Sequence, residues 1–85
     1  VSVVKPSYGF PGASIVFEGQ EFVSSKTLYT LTFGTSTDKA EIVGTPIDTE
    51  FMAKIPETAV SGVMTLIMAE QTIDLTSYPF TVLKL

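Results

Sequence analysis

The sequence predicts an all-β domain, a sandwich or small barrel of short strands. Three observations carry this. Apolar and polar positions alternate in several short segments. Turn signals rich in Gly, Pro, Ser and Thr recur about every eight to twelve residues. No segment keeps helical spacing over about ten residues. The apolar residues are mainly Val, Ile, Phe, Leu and Tyr, often beside Thr, which suits a pleated, half-buried surface.

Val1 to Lys5 reads as a first strand closed by Pro6. Pro6 to Gly12 holds two prolines and two glycines and reads as a loop. Ser14 to Glu18 alternates, with Ile15 and Phe17 on one face. Gly19 ends that strand where a Cβ would be costly, and Phe22 returns to plug the end of the core. Glu21 to Lys26 has no period and reads as a loop. Thr27 to Phe33 is the clearest alternation, with Tyr29, Leu31 and Phe33 opposite Leu28, Thr30 and Thr32.

Gly34 ends that strand. Lys39 to Val43 reads as a short strand with Ala40 and Ile42 on one face, and Gly44-Thr45-Pro46 as the turn after it. Thr49 to Ile55 places Phe51, Ala53 and Ile55 inward, and Pro56 stops it. Val63 to Ala69 places Met64, Leu66 and Met68 inward, with Val63, Thr65 and Ile67 as a rival face. Glu70-Gln71 is the expected hairpin tip. Thr72 to Leu75 and Phe80 to Leu85 form one last strand, broken by a bulge or kink near Ser77-Tyr78-Pro79. The predicted core is Ile15, Phe17, Leu31, Phe33, Phe51, Ile55, Leu66, Phe80 and Val82.

The chain has 85 residues and a 45% hydrophobic fraction, which fits one domain and excludes a disordered linker. Cys, His and Trp are absent, all five cations are lysine, and the net charge is −4. Nucleic acid and anionic membranes are disfavoured, because both require a basic footprint. No apolar run reaches the ~18–20 residues of a membrane helix. Val1 begins within an expected strand, so the chain is expected to be an excised domain or mature fragment.

Taken in order, certain residues form a pattern. They are Pro6, Gly9, Gly12, the Ile15/Phe17 alternation, Gly19 with Phe22, Phe33-Gly34, Phe51-x-Ala53-x-Ile55-Pro56, Gly62 and Phe80-x-Val82. The set resembles the IPT/TIG domain family over essentially residues 1–85. The family is found in plexins, Rel-type transcription factors, starch-active bacterial transferases and many bacterial surface proteins. The resemblance implies an immunoglobulin-like β-sandwich of early-set type with about seven strands. It implies a spacer or interaction module with no catalytic residues and no cofactor. The expected setting is a multidomain bacterial exported or cell-surface protein, with neighbouring domains of the same chain as partners. Two departures stand out: Gly44-Thr45-Pro46-Ile47-Asp48 replaces the usual Ser/Asn-Asp-Thr run, and Thr35-Ser36 replaces the glycine pair after Phe-Gly. The DNA-contacting role of Rel-type members does not carry over, since the loops lack arginine.

Candidate chemistry is sparse. Glu18/Glu21, Asp48/Glu50 and Glu70/Asp74 are close in sequence, as general acid/base pairs require. Each sits at a turn or outward position, which reads as solvated surface. Asp38 with Glu41, or Asp48 with Glu50, supplies two hard oxygens, whereas calcium takes six to eight. Nucleophilic serine chemistry has no histidine base. Gly9-x-x-Gly12 precedes a strand rather than the helix a phosphate loop needs. Tyr8, Phe10 and Tyr78 remain as candidate ligand-binding aromatics for a glycan or another surface protein. The plainer reading is that such aromatics cap the end of the core. Met52 and Ile67 are candidates for an interdomain or dimer patch, or are isolated apolar surface residues.

Overall fold

Period-two alternation decides which side chains enter the interior, and the interior is where the strands meet. A computed structural model describes residues 1–84 and is all-β, with no α-helix among them. The strands are β1 (Val3–Lys5), β2 (Tyr8–Gly9), β3 (Ser14–Glu18), β4 (Tyr29–Phe33), β5 (Glu41–Ile47), β6 (Glu50–Lys54), β7 (Met64–Met68), β8 (Gln71–Ile73) and β9 (Thr81–Val82). One sheet has the order β1-β3-β6-β5, and another the order β4-β7-β8. β2 and β9 pair in parallel. A bridge between Gly62 and Phe80 joins that pair to the chain entering β7.

All nine expected core residues are buried, and one cluster holds them together. Phe51 sits at its centre. Phe17 stacks on it at 4.6 Å, Phe22 meets it edge-on at 5.0 Å, and Tyr29 reaches it from the opposite sheet at 4.8 Å. Phe33 and Phe80 form a second edge-on pair at 5.2 Å. Leu75 and Ala59 are buried too, although they lie in irregular segments where alternation gives no signal. On β7 the Met64/Leu66/Met68 face turns inward, and Val63 and Ile67 are exposed.

Gly19 and Phe22 form the expected plug. A Cβ at Gly19 would lie 2.8 Å from the Phe22 ring. Close approach of that aromatic is what glycine permits here. The Gly19 N–H donates to Thr49 and the Phe22 N–H to Asp48, tying this loop to the β5–β6 turn.

Five expectations need correction. The strand expected from Thr27 begins only at Tyr29, because Lys26–Leu28 forms a 3-10 turn in which the Leu28 N–H donates to the Ser25 carbonyl. The Pro6–Gly12 loop contains β2, because the chain leaves the first sheet after Lys5 and pairs in parallel with β9 in a separate two-stranded sheet. Gly44-Thr45-Pro46 is not the turn. β5 runs through it to Ile47, and the pairing with β6 shifts register between Val43 and Ile47. Gly44 takes φ 67, so the signal marks a bulge, and the turn falls at Asp48-Thr49. The β7–β8 tip is Ala69-Glu70 rather than Glu70-Gln71, with φ 51 and 68. Lastly, β8 and β9 are separate strands with different partners: β8 pairs with β7 and β9 with β2, and only the Phe80–Gly62 bridge returns the chain toward β7. Gly62 and Leu66 are four residues apart, while their partners Phe80 and Ile73 are seven apart. The inserted residues carry the break expected near Tyr78. Leu85, the end of the expected last strand, lies outside the described residues.

Candidate functional site

The candidate aromatics do not converge. Tyr8 is 56% exposed on β2, and Phe10 is 43% exposed just beyond it. Gly9 between them faces the core: a Cβ there would lie 2.9 Å from Ile55 Cδ1. Tyr8 therefore faces outward. Tyr78 is half-buried against the core, and its hydroxyl donates to the Val1 carbonyl. It sits at the Val1 end of the molecule. Phe10 sits by the Gly12–Ile55 contact at the other end.

Tyr8, on β2, adjoins a larger surface assembled from four further strands. Thr30, Thr32, Thr65, Thr72 and Thr81 occupy the outward positions of β4, β7, β8 and β9. Five of the eight large exposed hydrophobics lie on this surface or at its ends: Tyr8, Phe10, Leu28, Val63 and Ile67. Among the described residues, no charged side chain occupies an outward position of these strands. Met52 is half-buried on β6 in the other sheet, so it forms no patch with Ile67.

The carboxylates pair differently from their order in sequence. Glu18 stands directly opposite Glu50 across β3 and β6. Lys5 forms an ion pair with Glu18. The hydrogen bond and charge of Glu18 hold the Lys5 ammonium above its ordinary 10.5, and Glu50 adds a smaller pull. Across β5 and β6, Glu41 faces Lys54. Asp74 accepts hydrogen bonds from the Thr76 hydroxyl and backbone N–H, which hold its carboxyl below the ordinary 3.8. The Thr58 hydroxyl donates to Asp38, tying two exposed loops together. Among the described residues no three acidic side chains are grouped to hold a metal ion.

Two shallow depressions mark the surface. One, of about 260 Å³, lies among Lys39, Glu41, Lys54 and Glu57. The other, of about 320 Å³, lies beside Val1, Ser2, Gly19 and Gln20. Neither contains Tyr8, Phe10 or Tyr78. The sequence did not single out the first, since the Lys39–Glu41 and Lys54–Glu57 segments lie apart along the chain and meet only through folding. No helix among the described residues is long and apolar enough to cross a membrane. Comparison with family models, curated proteins and solved structures gave no match.

Proposed function

We propose that this chain is a non-catalytic immunoglobulin-like domain of IPT/TIG type, acting as a spacer in a multidomain bacterial exported or cell-surface protein. One observation carries the reading: the strand order. An immunoglobulin sandwich of constant type places its first, second, fifth and fourth strands in one sheet, and its third, sixth and seventh in the other. Counting β1 with β2 and β8 with β9 as single interrupted strands, the orders β1-β3-β6-β5 and β4-β7-β8 follow that plan. The partners are then neighbouring domains, and the location is extracellular. Ladder hydrogen bonds and a close-packed aromatic core supply the stiffness a spacer needs.

The test is an exchange. An unrelated immunoglobulin-like domain of equal length replaces residues 1–85 in the parent protein. A spacer predicts that the neighbouring domains keep their activity. Loss of a specific binding activity would overturn it.

A second reading is favoured by the exposure of Tyr8 and Phe10 on an uncharged surface: a module binding neutral glycan or another surface protein, including one accessory to a polysaccharide-active enzyme. Titration of a neutral glycan panel against Tyr8→Ala, Phe10→Ala and Tyr78→Ala separates the two. Binding lost in the first two variants supports the module, and no binding by the unaltered chain supports the spacer.

A further inference from the structure

We infer that the open edge of β8 is a strand-addition site for an extended peptide that is neutral at its centre and basic at both ends. This goes beyond the spacer reading and does not depend on it.

The other edges are closed. β1 is three residues long and runs into Pro6, and β2 lies between Pro6 and Pro11. β5 carries the bulge at Gly44–Pro46, and the Leu31 carbonyl on the free side of β4 already accepts the Ala40 N–H. On β9 the Ser61 hydroxyl takes the Val82 N–H. Such edges resist pairing. β8 is the outer strand of the β4-β7-β8 sheet, and Gln71-Thr72-Ile73 contains no proline, glycine or charge. It is short, but the alternation continues beyond it, with Asp74 exposed and Leu75 buried.

The hairpin aims the β8 backbone at solvent. Met68 and Gln71 flank a two-residue turn and so form a hydrogen-bonded pair. Ile67 and Thr72 are then the next, non-bonded pair. Thr72 therefore points its N–H and C=O away from β7, and among the described residues no loop backbone group takes either. Ala69 fits the same alternation, since its N–H turns to the other side and meets the Leu28 carbonyl.

Charge chooses the occupant. Glu70 and Asp74 flank the neutral segment, and among the described residues neither forms an ion pair. Hydrogen bonds from Thr76 keep the Asp74 carboxyl charged. A second copy added antiparallel about Thr72 would set Glu70 against Asp74 twice, and opposed like charges destabilise a strand pair. A strand with lysine at those two positions meets opposite charge at both. Between the lysines, one inner side chain falls beside Ile73, which is half-buried on the core, and the central outer one beside Thr72. Alternation thus specifies lysine, apolar, threonine, apolar, lysine.

The probe is acetyl-Lys-Val-Thr-Val-Lys-amide, followed by NMR of the isotope-labelled 85-residue chain. At up to about 5 mM it should shift the Thr72 amide and slow its hydrogen exchange, with a dissociation constant of about 0.1–1 mM. Methylating the probe's central nitrogen removes its donor to the Thr72 carbonyl and keeps both lysines, and should weaken binding about tenfold or more. Replacing both probe lysines by glutamate should weaken it about tenfold. So should Glu70→Gln with Asp74→Asn in the protein, where the amide keeps an acceptor for Thr76. A Thr72 amide unmoved at about 5 mM probe, or a methylated or glutamate probe that binds equally, overturns the inference. So does a Thr72 amide that moves with protein concentration alone, which would make the occupant a second copy.

Discussion

The two sheets are alike inside and different outside. Each contributes alternating Phe, Ile, Leu or Met to one core. Outside, the β1-β3-β6-β5 sheet presents charges: Glu18 faces Glu50, Glu41 faces Lys54, and Lys5 pairs with Glu18. The other sheet presents threonines and scattered apolar groups with no charge among them. Folding requires only that the inner positions be apolar and fit. It leaves the outer positions free to differ. A charged mosaic suits water. A neutral hydroxyl field tolerates water and can also be covered.

The largest effects should show that the interiors are equivalent. Phe51→Ala in one sheet and Phe33→Ala in the other should each lose about 3–5 kcal/mol of stability by denaturant titration. Both rings are almost fully buried and packed on other aromatics. If one variant melted like the unaltered chain, the equivalence would fail.

Tyr29 links the two layers and offers a subtler test. Its hydroxyl donates to the Val23 carbonyl at 2.7 Å. Tyr29→Phe should cost about 0.5–1.5 kcal/mol at neutral pH. Burial pushes the Tyr29 phenol above its ordinary 10.0. The unfolded chain therefore ionises there first, and stability falls as pH rises past about 10. The Phe variant lacks that contribution, so the gap between the two should narrow in alkaline melts.

A gain of similar size is expected at the β7–β8 tip. Ala69 and Glu70 both hold left-handed backbone, which costs an L-residue about 1–2 kcal/mol. Glu70→Gly should raise stability by about 1 kcal/mol, because glycine suits the second position of such a hairpin turn. An unchanged midpoint would show that the turn is not strained.

The smallest effect probes the charged face. Lys5→Gln leaves Glu18 and Glu50 opposed without their cation. The melting temperature of that variant should rise with salt more than that of the unaltered chain, as screening relieves the repulsion. Equal salt dependence would show that Lys5 does not balance the pair.

Alternation along the chain was enough to determine the inner faces of β3, β4 and β6, because burial of one side imposes a period of two on the residues; on β7 it left two rival faces, and only the packing turned Met64, Leu66 and Met68 inward. It also revealed the Gly19–Phe22 plug and the break before Phe80, where glycine, aromatic and proline interrupt the pattern. Alternation says which side a residue faces and not what stands beside it. Only the tertiary structure set Glu18 against Glu50, turned Gly44–Pro46 into a bulge, and carried Tyr8 across to pair with Thr81. The uncharged face was equally hidden, since β4, β7, β8, β9 and β2 become neighbours only when long-range pairing brings remote segments into register.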